Sequence, residues 1–164
     1  MSVRINIRVE PYLARFARVR WPGHDGVVVL PRGCPVTACI EVFSLCRPSH
    51  AKPEAGNLLL EIPERDVAKD LRRYNYLSER GRKQVEWSLR TEFLRVLHET
   101  MDRERYRSGR EYQDTAEAFH RYYGLGDTLT VDALLKMHQR WKEQQREWKG
   151  RPEQLEINFN DYTK

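Results

Sequence analysis

Four polar residues near the end of the chain recur at helical spacing. Gln139, Lys142, Arg146 and Lys149 are separated by steps of three, four and three. On a helix this spacing lines them along one side, and Lys136 and Arg140 flank the stripe. Long cations on a helix face neutralise phosphates, and Gln and Arg also hydrogen-bond base edges in a major groove. Within 136–149 the acidic residues are Glu143 and Glu147. The alternative for the same stripe is a solvated face with internal Glu–Lys pairs.

The elements that must position this stripe lie between Glu111 and Lys149. Asp114-Thr115-Ala116-Glu117 has the spacing of a capping box. It predicts a helix with Ala118, Phe119, Tyr122 and Tyr123 as its apolar residues, ending at Gly124. Thr130 then caps a last helix that reaches Lys149, with Asp132 in its first turn, where the helix dipole favours an acid. Leu134, His138, Trp141, Gln145 and Trp148 form its inward stripe. The two helices make a helix-turn-helix-like pair. The connection from Gly124 to Thr130 exceeds the three or four residues of a tight motif of that kind.

Other side chains with chemical potential give weaker patterns. Cys34, Cys39, Cys46 and His50 lack the paired short spacing of structural zinc sites, and Cys39 and Cys46, seven apart, are expected to fill the core. His98 and His120 fall in helical patterns and are expected to be packed or surface histidines. A Cys/His nucleophilic pair stays open, because catalytic partners need not be close in sequence. No Gly-rich phosphate loop or acidic metal triad is present in the sequence. Arg72, Arg73, Tyr74 and Tyr76 form a basic-aromatic loop that suits either single-strand stacking or anchorage between two halves. These patterns imply a binding protein rather than an enzyme, with no cofactor and no metal.

The first half reads as a small α+β unit. Val3, Ile5, Ile7 and Val9 alternate with Arg4, Asn6 and Arg8, the pattern of a half-buried strand. A core strand with a polar outer face fits it, and so does the basic strand of a ribbon-helix-helix dimer, with Arg4, Asn6 and Arg8 as readers. Pro11 opens a helix over Tyr12–Arg20. Val27–Leu30 is a short strand. Cys34–Leu45 is a helix with Ala38, Val42 and Leu45 on one side, or a strand. Leu58, Leu60 and Ile62 form a third strand that stops at Pro63. Ser78 caps a long helix to about Tyr106, with Val85, Leu89, Phe93, Val96, Leu97 and Met101 inward. The fold class is α+β, a small N-terminal sheet with short helices followed by a three-helix C-terminal part. The expected division is 1–63, 64–151 and a tail, 152–164, in which Leu155, Ile157 and Phe159 alternate as a possible returning strand.

Composition narrows the partners. Of 164 residues, 29 are Lys or Arg and 24 are Asp or Glu, a net charge of +5 that favours nucleic acid or another anionic surface. Four Trp and eight Tyr argue against disorder. No run approaches a membrane span and no signal segment opens the chain, so a cytoplasmic location is expected. Three Cys in that setting argue against a disulfide framework.

Tyr74-Asn75-Tyr76-Leu77-Ser78, the long charged helix after it, and Ala133-Leu134-Leu135-Lys136 to Arg140-Trp141 together resemble small proteins of bacterial mobile elements, of conjugative-transposon or prophage type. The resemblance spans most of the chain. It implies maintenance, regulation or accessory work in the transposition of mobile DNA, and it transfers no catalytic residue. The sequence thus points to a DNA-binding accessory or regulatory protein. The alternative is a protein-interaction or structural module, in which the long helix assembles a homo-oligomer.

Overall fold

A computed structural model describes residues 3–51, 55–62, 70 and 73–149. Strand β1 (Val3–Ile7) pairs antiparallel with β4 (Leu58–Ile62), which pairs parallel with β2 (Val28–Val29), giving the order β1-β4-β2. Register sets Ile5 opposite Leu60 and Ile7 opposite Leu58, so the alternating apolar residues share the buried face. The outer face carries the cross-strand pair Arg4–Glu61, at 2.9 Å. This strand takes the core-sheet arrangement within one chain. Asn57 extends the ladder, since its side-chain amide donates to Val9 O and accepts from Val9 N, at 2.8 and 2.9 Å.

Helix α1 (Pro11–Arg20) starts on a proline and buries Leu13, Phe16 and Ala17 completely. Helix α2 spans Pro35–Phe43, and β3 (Ser44–Leu45) follows at once, pairing antiparallel with β5 (Tyr76–Leu77). The expected helix over Cys34–Leu45 is therefore shortened, and its faces are exchanged. Val36, Thr37 and Ile40 are buried, whereas Ala38, Val42 and Leu45 face solvent. Cys34 caps this helix through its sulfur, which accepts from Thr37 N at 3.4 Å. Cys39 is half-buried, but Cys46 is exposed and does not fill the core.

Helix α3 (Glu79–Ser108) is the spine. Ser78 Oγ accepts from Gly81 N at its start, and Gly109 ends it in the left-handed conformation, φ 63°. Val85, Leu89, Phe93, Leu97 and Met101, each four residues from the last, are fully buried. Val96, expected among them, is only half-buried. Phe93 sits edge-on to Tyr12, Phe16 and Phe119, with ring centroids 5.1, 5.2 and 5.8 Å away. One hydrophobic core thus runs from the sheet through α3 to the last two helices.

Helix α4 (Tyr112–Tyr122) starts before the expected capping box, with Glu111 at its N-cap, so Asp114 lies inside its first turn. After Gly109, Arg105 pairs with Glu111 at 2.7 Å beside this start. Thr115, Ala116 and Phe119 are buried on α4, while Ala118 and Tyr122 are exposed. The loop to α5 (Val131–Lys149) is packed rather than free. Arg15 donates to Gly124 O and Leu125 O at 3.1 and 2.8 Å, and Leu125 is fully buried. Gly126 is left-handed, φ 54°, and a Cβ there would strike the Arg15 guanidinium. Thr130 Oγ1 accepts from Ala133 N at 3.2 Å, capping α5 as expected. Among the described residues no helix is long and apolar enough to cross a membrane. The tail 152–164 lies outside the described residues.

Removing the Phe93 ring should cost about 3–5 kcal/mol, because it empties the junction of three helices. Tyr122→Ala, at a residue 70% exposed, should cost less than about 1 kcal/mol. Urea denaturation of both variants checks this, and a Phe93→Ala variant as stable as the parent would contradict the packing described.

Candidate nucleic-acid interface

Leu134 and His138 are buried and Trp141 is half-buried, but all residues from Glu143 to Lys149 are exposed. Gln145 and Trp148, expected on the inward stripe, therefore do not pack, and Trp148 is 74% exposed. The helical period continues while the body beneath it stops. Helix α5 crosses α3 near His98 and Asp102, and its last two turns pass beyond it.

The six expected contact residues separate into different surroundings. At about 100° per residue, Gln139, Lys142, Arg146 and Lys149 share one side of α5. Lys136 and Arg140 lie further round, with Asp132, Glu143 and Glu147 interleaved. Lys136 is paired to Asp132 at 2.7 Å and Gln139 donates to Glu143 at 3.0 Å. Lys142 reaches Asp102 Oδ1 at 2.8 Å and lies over the rings of Tyr106 and Tyr112, at 5.9 and 5.7 Å. That ion pair is first among the causes that raise the Lys142 pKa. Arg140, Arg146 and Lys149 form no ion pair among the described residues. Gln139, Lys142 and Arg146 also line a groove of about 390 Å³ with Tyr112 and His138.

Beneath the crossing lies a cluster that the sequence did not assemble. His98 Nδ1 and His138 Nδ1 are 3.1 Å apart, and both rings are buried. One imidazole must donate and the other accept. With His98 donating, His138 carries its proton on Nε2, which faces Asp102 Oδ1 at 3.4 Å without an aligned hydrogen bond. Trp141 stacks on His98, with centroids 4.5 Å apart and planes 12° apart. Burial is the main cause that pushes His98 down to about 4, and the field of His138 adds to it. Burial also lowers His138, against the opposing pull of Asp102. The only signal in the sequence was His138 on the inward stripe of the last helix, a buried imidazole that needs a polar partner. His120 instead bonds Gly126 O at 3.0 Å.

Among the described residues no group of three or more His, Cys, Asp or Glu side chains could hold a metal ion. Of the basic-aromatic loop, Arg72 lies outside the described residues, and Tyr76 is half-buried with Arg82 over its ring at 5.9 Å.

Both imidazoles sit below their ordinary value, so the unfolded chain takes up protons first as the pH falls. The stabilisation is complete above pH 6.5 and drains away toward about pH 4, by on the order of 3 kcal/mol at most for His98. The double variant His98→Leu/His138→Met should lose less stability across that window than the parent. Equal losses in urea titrations at the two pH values would contradict the assignment.

Compared with known protein families, curated proteins and solved structures, the chain matches none.

Proposed function

We propose that this protein binds DNA, as a cytoplasmic accessory or regulatory factor of a mobile genetic element, through phosphate contacts made by the projecting end of α5. The observation that supports this reading is the overhang itself. Arg146 and Lys149 extend past the body on exposed turns, and neither has an ion-pair partner among the described residues; Arg140, also without one, lies further round the helix. Free cations bind phosphate without first breaking an internal pair, whereas Lys136 and Lys142 must surrender Asp132 and Asp102. Lys142 and Gln139 extend the surface toward the Tyr112 groove. The mobile-element setting rests on the resemblance of the Tyr74–Ser78 string and the Ala133–Trp141 run, and the role is binding rather than catalysis.

A second reading, a protein-interaction module, is favoured by one observation. Trp87 is 65% exposed on α3, and Leu94, His98 and Trp141 line an open groove of about 550 Å³ on the same helix. A stable homo-oligomer in light scattering, with no retention of DNA at low salt, would support it.

Arg146→Glu/Lys149→Glu is the discriminating variant, since both side chains are exposed and structurally idle. It should weaken binding to random duplex DNA by at least about tenfold at low salt, as each lost phosphate contact removes counterion release. Unchanged affinity in an anisotropy titration would overturn the assignment.

A further inference from the structure

Next to the groove that Trp141 lines, and sharing Arg95 and Glu99 with it, a groove of about 520 Å³ opens between α3 and α4. Its floor includes Phe119 and Val96, and its walls carry Arg20, Arg95, Arg103 and Arg110. The carboxylates of Glu99 and Glu104 line it as well. Arg95 is fully committed. It grips Glu92 with a fork at 2.7 and 2.9 Å and Glu99 at 2.7 Å, so it holds the wall together.

The other three arginines are held loosely. Arg103 and Arg110 share one carboxylate, Glu104, at 3.9 and 3.7 Å, and Arg20 stands 3.7 Å from Glu92. These separations exceed charge-assisted hydrogen-bond distance, so the guanidinium donors are attracted to the carboxylates but not bonded to them. Their side chains are 53%, 48% and 40% exposed. A tetrahedral anion with three acceptor oxygens satisfies guanidinium forks better than one carboxylate shared at long range. Beside them, Tyr122 is 70% exposed and braced edge-on by Tyr123, at 4.9 Å and 85°. An exposed ring beside loosely paired cations is a platform for a planar aromatic group.

We propose that the α3–α4 groove binds a nucleoside phosphate, with the phosphate on Arg103 and Arg110 in the place Glu104 now holds and the base stacked on Tyr122. The volume suits a ligand of that size. Glu104 acts as an internal stand-in anion that the ligand displaces. The site is separate from the projecting end of α5 and does not depend on the reading of that helix. The same chemistry is offered by a free nucleotide and by one residue of a single strand.

Calorimetric titration of the full chain with thymidine 5′-monophosphate, inorganic phosphate and a short oligothymidylate tests this. Arg103→Ala and Arg110→Ala should each weaken nucleotide binding by about tenfold. Tyr122→Ala should weaken the nucleotide but leave inorganic phosphate unchanged, and Glu104→Gln should tighten both. Arg146→Glu/Lys149→Glu should leave mononucleotide binding intact, which separates this site from the α5 surface. Equal affinity for mononucleotide and oligomer identifies a free nucleotide as the ligand, and much tighter oligomer binding identifies a strand. All four substitutions fall on residues at least a quarter exposed, and circular dichroism checks that they fold. Absence of nucleotide binding, or binding indifferent to Arg103, Arg110 and Glu104, would overturn the proposal.

Discussion

The burial of Phe93 between α1 and α4 is the constraint from which the rest of the molecule follows. Its ring meets Tyr12 and Phe16 on one side and Phe119 on the other. Phe119 and Phe16 in turn both contact Tyr123, at 4.6 and 5.0 Å. These contacts fix α4 against the N-terminal part, and Arg15 then ties the α4–α5 loop to α1. Helix α5 inherits its direction from that loop. It crosses α3 at a single place, and beyond the crossing no packing surface remains for it.

That crossing is polar where a core is usually apolar. Two neutral imidazoles, a carboxylate and an ammonium meet under Trp141. Apolar contacts tolerate sliding along a helix, whereas a shared Nδ1 proton and an ion pair specify one register. The cost is sensitivity to acid, since charging a buried imidazole opposes its burial. The benefit lies in the geometry of what protrudes, because the angle of the overhang is set at His138 and Asp102. The proposed DNA-binding surface therefore rests on a cluster that shares Lys142 with it.

Much of this architecture was legible from residue spacing. The alternation in β1 and β4, Pro11 opening α1, Ser78 and Thr130 as caps and the i, i+4 stripe of α3 all follow from local chemistry and are all present. What local pattern could not give was where neighbours end. Gln145 and Trp148 continue the stripe of α5 in sequence but have nothing to pack against. Ala38 and Val42 lie on the solvent side of α2, and Leu45 falls in β3, which pairs with Tyr76–Leu77. The capping box at Asp114 falls inside the first turn, because α4 begins earlier, with Glu111 at its N-cap. The histidine pair joins residues 40 apart, a relation no periodicity encodes. The six basic and polar residues of α5 were legible in the sequence, but the pairing of Lys142 rests on Asp102, which lies on another helix.

The central claim is that free cations on the overhang meet phosphate, and a salt titration of binding to random-sequence duplex DNA tests it most directly. The two unpaired cations of the overhang, Arg146 and Lys149, predict a linear fall of log affinity with log salt, with a slope of about −2. A slope near zero, or no binding at low salt, would contradict the account and leave the overhang without a role in phosphate recognition.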